Sequence, residues 1–272
     1  MATIAENLQT IIDIKADIKT AIENKGVTVG DASFSEYAGK INSIVGSGTA
    51  AWALPDGTKF ANSTATTFPE LHFNNLTETY GMFQDCENLT SVPLFNTSNV
   101  TNMNGMFYGC KNLTSVPLFD TSSTIGMRSM FSGCTLIESI PQFDTSKVQS
   151  IMYFCDNCTN LTTIPLLDFS SVNCFTVGFS ECTSLTNLGG FTEFGLQGRG
   201  VIGTVFWLIF EDCPNLTRDS VLNVFNTVHN MKSDELIEEI GHKITLNTNT
   251  YALLSSSDIA IATAKGWIVE SK

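Results

Sequence analysis

The sequence predicts an α/β repeat solenoid carrying a helical N-terminal module and an α/β C-terminal cap. Three observations predict it. One 24-residue period runs through several residue types at once, apolar residues are abundant while charge is scarce, and the chain ends abandon the period for helical spacing. Cysteines stand at Cys86, Cys110, Cys134, Cys158 and Cys182, and prolines at Pro69, Pro93, Pro117, Pro141 and Pro165. Leu89, Leu113, Ile137, Leu161 and Leu185 make a third file, and Val92, Val116, Ile140, Ile164 and Leu188 a fourth. Apolar residues are 43% of the chain and charged ones 15%, against about 25% charge in an average globular domain. Such a composition suits internal stacking and disfavours a disordered tail.

Residues 1–45 read as a helical oligomerisation or docking module. From Thr3 to Asn24, Ile4, Leu8, Ile11, Ile18 and Ile22 recur at helical spacing, and Gly26 follows in a C-cap role. At 1.5 Å per residue this helix is roughly 33 Å long. A second helix opens on the capping box from Ser33 to Glu36 and places Phe34, Tyr37, Ile41 and Ile44 on one face. Either the two close on each other as a hairpin, or the longer stripe, interrupted by Lys15, is left for self-association or docking. Residues 46–67 read as a linker and the start of the solenoid.

Residues 68–216 hold six units. Phe83, Phe107, Phe131 and Phe179 each lead a cysteine by three positions, with Phe154 displaced by one. The sixth unit, Ile209 to Leu216, arrives seven residues late, and the extra chain is assigned to a glycine-rich loop at 195–200. A unit such as Met106 to Pro117 is too small to bury its own apolar side chains, so each must stack on its equivalents. Leu-Thr-Ser-Val reads as a short strand ended by proline, which cannot donate to the next ladder bond. At about 4.8 Å per strand, the array spans roughly 25 Å. Truncating one ladder leucine, as in Leu113→Ala, should cost about 2–5 kcal/mol.

Residues 217–272 read as the cap. Thr217 starts a helix to His229 and Ser233 another to Gly241. Lys243 to Leu246 reads as a strand, Asp258 to Lys265 as a helix closed by Gly266, and Trp267 to Val269 as a final strand.

The run M-F-x-x-C-x-N-L-T-S-V-P-x-F-D-T-S-x-V, carried by Met82 to Val100 and Met106 to Ser123, resembles the BspA-type leucine-rich-repeat family from about Phe68 to Leu216. That family includes bacterial surface adhesins, parasite proteins and bacteriophage virion proteins, so the resemblance implies a binding or structural scaffold and no enzyme. Lys40 to Ile44 is similar to openings of structural and fibre proteins from phages of gut bacteria, and Leu254 to Ile268 to endings of phage-encoded repeat proteins. These resemblances imply a virion structural protein, a head or tail fibre or a decoration or baseplate-associated part. It would be assembled in the host cytoplasm and would present its solenoid for protein–protein or host-surface attachment. The partners implied are other virion proteins, a second copy, and a host cell-surface glycan or protein. A bacterial cell-surface adhesin is the alternative.

The search for chemistry is mostly negative. Fourteen basic residues face 27 acidic ones, a net charge of −13, which disfavours a nucleic-acid partner. No signal peptide is read at the N-terminus, and no run reaches the roughly 18–20 apolar residues of a membrane helix, so membrane insertion is not expected. Eight cysteines in such a chain are expected as free thiols. Cys155 and Cys158 form a C-x-x-C, but Cys158 belongs to the repeat file and no second pair accompanies it. His72, His229 and His242 read as standing alone, and Gly195 to Gly203 lacks the Lys-Ser/Thr of a phosphate loop. The file Asp120, Asp144 and Asp168 could align carboxylates for calcium, yet Asn96 fills the same place one unit earlier, which favours turns. No catalytic, cofactor or metal residue emerges. Binding, if it occurs on the solenoid, falls on the outward strand positions Thr90, Ser91, Thr114, Ser115, Glu138, Thr162 and Thr163. Their hydroxyls could bond a glycan, although no aromatic file offers a stacking platform there and a solvated face is the plainer reading.

Overall fold

A computed structural model of the chain describes residues 54–73, 75–173, 176–192, 207–228, 230 and 242–272. The expected module 1–45 with Ile4, Leu8, Ile11, Ile18 and Ile22, the linker up to residue 53, the loop at 195–200, and the helix from Ser233 to Gly241 lie outside the described residues. In chain order the described elements are β1 (Thr163–Ile164), β2 (Leu167–Asp168), β3 (Thr176–Gly178), β4 (Asn187–Leu188), β5 (Phe191–Thr192) and β6 (Trp207–Phe210). After them come α1 (Arg218–Thr227), β7 (His242–Leu246), α2 (Thr248–Tyr251), α3 (Ser256–Ala264) and β8 (Trp267–Ser271).

Successive units pair in parallel, each residue with its equivalent one repeat on. Isolated bridges link Glu78 to Asn102, Asn102 to Gly126 and Gly126 to Ser150, and β1 pairs with β4 at Thr163–Asn187 and Ile164–Leu188. The Leu-Thr-Ser-Val segments do not form the continuous ladder that the sequence suggests. Proline follows each, and a residue without an N–H cannot extend a ladder.

The densest run of bonds between units sits one segment earlier, in the Met-Phe turn. The amides of Thr79, Gly81, Phe83 and Asp85 donate to the carbonyls of Asn102, Asn104, Met106 and Tyr108 at 2.8, 3.0, 2.9 and 2.7 Å. The intervening amides of Met82, Gln84 and Cys86 turn back to Thr79, Gly81 and Phe83 of their own unit. Two left-handed positions per unit accompany this alternation. Gly81, Gly105, Ser129 and Tyr153 fill the first, and Asp85, Gly109, Gly133, Asn157 and Glu181 the second, all with φ between 53° and 79°. Glycine takes the left-handed region without a steric cost. At Gly109 a Cβ would also lie 2.3 Å from an Asp85 carboxylate oxygen, so a larger residue there would displace that side chain.

The core is a set of columns. Phe83 stacks on Phe107 at 5.5 Å and Phe107 on Phe131 at 5.7 Å, with rings within 9° of parallel. Cys155 then takes the place one repeat after Phe131, and Phe154 meets Phe131 edge-on at 5.5 Å and 76°. The column resumes with Phe179 on Phe210 at 5.3 Å. Beside it, the thiols of Cys110, Cys134 and Cys158 donate to the carbonyls of Phe83, Phe107 and Phe131 at 3.0–3.1 Å. The seven described cysteines are free and buried.

Both ends of the described array are closed by side chains. Thr101 donates to the Thr77 carbonyl, and Ile125 and Gln149 repeat this at Thr101 and Ile125. At the first rung the Asp56 carboxylate replaces a preceding unit, accepting from Thr77 N at 2.9 Å and from the Thr77 hydroxyl. At the other end α1 lies against β4 and β5, where Ser220 Oγ accepts from Leu188 N and Thr227 Oγ1 from Phe191 N. Strands β3, β6, β7 and β8 form one parallel sheet in that order. The helix expected from Thr217 to His229 runs from Arg218 to Thr227 with Thr217 as N-cap, α3 begins earlier behind the Ser255 capping box, and β8 extends to Ser271.

Candidate interaction surface

The outer surface of each unit follows from alternation along the segment after the Leu-Thr-Ser-Val run. Beyond Pro93, Phe95 and Thr97 point inward, whereas Leu94 and Asn96 point out, as a two-residue period requires of extended chain. The sequence-expected residues Thr90, Ser91, Thr114, Ser115, Glu138 and Thr162 are exposed; Thr163, held in β1, is only half so. They do not form a row of free hydroxyls. Thr90, Thr114 and Thr162 donate their hydroxyls to the carbonyls of Thr66, Thr90 and Glu138 at 3.0–3.2 Å. These hydroxyls tie unit to unit, leaving only acceptor lone pairs for a ligand.

The aspartate file makes turns. Asp120 Oδ1 accepts from the amide and hydroxyl of Ser122, and Asp144 Oδ1 from those of Ser146. Asp168 accepts from Ser170 N, and Asn96 plays the same part for Ser98. The serine bonds hold the Asp120 and Asp144 carboxyls below the usual carboxylate range, so both stay ionised well into acid.

Between the prolines and these aspartates runs a row that sequence reasoning missed. Leu94, Leu118 and Leu166 are 60%, 61% and 42% exposed at one 24-residue step, with Gln142 exposed in the same file. The backbone forces residues 118 and 142 outward. Phe119 N donates to Pro117 O and Phe143 N to Pro141 O at 3.0 and 2.9 Å, tight three-residue turns with the intervening residue at the tip. The signal was present, since each leucine sits between a proline and an inward Phe or Leu.

A second exposed group lies on the Met-Phe turns. Tyr80, Tyr108 and Tyr153 are 38–50% exposed, with Lys59 over the Tyr80 ring at 4.6 Å and Arg128 over Tyr153 at 5.7 Å. His72, which the sequence left alone, lies 3.4 Å from Glu70. Burial pushes the Cys86 thiol up to about 11 and raises the Cys110, Cys134 and Cys155 thiols as well, which removes thiolate character at neutral pH. Among the described residues, no group of three or more His, Cys, Asp and Glu is placed to hold a metal ion, and no helix is long and apolar enough to cross a membrane.

These features define a class: a chain of in-register 24-residue units with periodic outer rows. Residues 77–190 match the family described as Mycoplasma protein of unknown function, DUF285, a finding consistent with the BspA-type resemblance of the same segment. No curated protein and no solved structure matches the chain.

Proposed function

We propose that the chain is a non-catalytic binding scaffold, a solenoid that serves as a structural protein of a bacteriophage virion. It presents its outer rows to other virion proteins or to the host surface, docks or self-associates through residues 1–45, and works as a fibre, decoration or baseplate-associated part. The exposed file of Leu94, Leu118 and Leu166 carries the binding reading, because large apolar side chains repeated in register on an outer face suit contact with a partner. The phage reading is supported by the resemblances at Lys40–Ile44 and Leu254–Ile268, and the net charge of −13 favours protein contact over nucleic acid.

A bacterial surface adhesin is the second reading, favoured by the match of residues 77–190 to a family described from Mycoplasma. Mass spectrometry of purified, nuclease-treated virions, with antibody labelling in electron microscopy, separates the two. The virion reading expects the protein at a fixed copy number with label on the outside of the particle. Its presence only on phage-free cells or in their culture supernatant overturns that reading in favour of the adhesin.

A further inference from the structure

Each unit from residue 94 to residue 168 presents two outward positions separated by one buried residue. They are Leu94 and Asn96 around Phe95, Leu118 and Asp120 around Phe119, Gln142 and Asp144 around Phe143, and Leu166 and the half-buried Asp168 around Leu167. Stacked at the repeat step, these pairs draw two neighbouring lines along the array, one mostly aliphatic and one mostly acidic. The aliphatic line is not needed for the core, which the inward Phe file fills. The acidic line is held in fixed geometry by the serine bonds of its turns.

We propose that this face binds an amphipathic helix of a partner protein whose aliphatic stripe is flanked by a stripe of Lys or Arg; the inference rests on the scaffold reading above and names the chemistry of its partner. The dimensions agree. The Phe95 and Phe119 rings, next in the chain to Leu94 and Leu118, are 5.0 Å apart, and an α-helix advances about 5.4 Å per turn, close enough to hold register over these few units. A helix lying along the array therefore sets one residue per turn over each leucine and one over each aspartate. Helices docked in this way place anchors at i, i+3, i+4 and i+7.

Charge selects among occupants. Asp120 and Asp144 are exposed and Asp168 is half-buried, and Lys147 beside Asp144 offsets only part of their charge. A second copy apposed through the same face would bring aspartates against aspartates. The chain's own Thr3–Asn24 segment contains four acidic residues, Glu6, Asp13, Asp17 and Glu23, against Lys15 and Lys19. Both occupants are disfavoured by like charge, whereas a basic partner is steered in.

Two synthetic helices of equal length provide the probes, one with leucine at one-turn spacing flanked by lysine, the other with glutamate replacing every lysine. Binding to the full chain is read by fluorescence anisotropy across a salt series. The lysine helix should bind and the glutamate helix should not. The triple variant Leu94→Ser, Leu118→Ser, Leu166→Ser should weaken the lysine helix by about tenfold or more, as loss of a central apolar anchor does. The double variant Asp120→Asn, Asp144→Asn keeps the turns, as Asn96 does, and should weaken binding while flattening its salt dependence. No binding of the lysine helix, equal binding of the glutamate helix, or full retention in the leucine triple variant overturns the proposal. Those outcomes leave incorporation into virions untouched, since that is measured separately on particles.

Discussion

Asp156 is the residue at which environment and chemistry pull hardest against each other. It is partly buried, accepts a bond from Ser180 N at 3.3 Å, and would meet a Cβ at Gly178 within 2.9 Å. Burial, with Glu181 nearby, pushes its carboxyl up to about 6. A carboxylate raised above its unfolded value binds its proton more tightly in the folded chain, so stability falls as pH rises through the window from about 4 to 6. Asp156→Asn removes that penalty while keeping an acceptor for Ser180. Its melting temperature should exceed that of the parent above pH 6, and the difference should vanish near pH 4. A variant less stable at pH 7 would show that the charge is favourable where it stands. At this scale the sequence spoke unevenly. The cysteine and proline files were plain, but the exchange at Phe154 and Cys155 read only as a displaced phenylalanine. What it does, turning one ring edge-on to fill the column, depends on neighbours a full repeat away.

Among the elements, the cap is held by a small set of bonds. Arg218 at the start of α1 grips Asp258 in the first turn of α3 with two hydrogen bonds of 3.0 and 2.6 Å, and Asp258 also closes the capping box with Ser255. Lys265, just past α3, donates to the carbonyls of Asn226 and Val228 at the end of α1, where a cation suits the helix dipole. The Arg218 guanidinium and the Ser255 bonds hold the Asp258 carboxyl at about 2. A depressed carboxylate contributes stability that is full above its unfolded value and is lost as pH falls toward the folded one. Asp258→Asn should therefore lower the melting temperature at pH 7 and have progressively less effect between about pH 4 and 2. Arg218→Met should act at the same place, and the double variant should lose less than the sum of the two, because they share one interaction. Of the described cap helices, α1 and α3 were legible from Thr217, Asp258 and Gly266, whereas the four-residue α2 was not read. The Leu-Thr-Ser-Val reading caught part of the inter-unit bonding, such as Thr114 N on Thr90 O and the pairing of β1 with β4, because β-propensity marks that segment. The part carried by the Met-Phe turn was not read, since the left-handed positions that organise it are glycine in only some units.

For the molecule as a whole, the period decided what could be read in advance. A single repeat step in several files at once implies one recurring environment, and the parallel pairings that join Glu78, Asn102, Gly126, Ser139, β1 and β2 to their equivalents one unit on keep that displacement. The outer surface was less legible. The hydroxyl row was found but its donors join the units, and the leucine row was read past because an apolar residue beside a core file looks like core until its neighbours are placed. The central claim is that these units stack in register and thereby align their outer rows. Residue-resolved hydrogen exchange tests it most directly. If the claim holds, protection recurs at the repeat step, with Phe83, Phe107 and Phe131 protected as donors to the next unit and Thr101, Ile125 and Gln149 as donors to the one before. Protection confined to α1, α3 and the β6–β8 sheet, with residues 77–190 exchanging freely and without period, would contradict it.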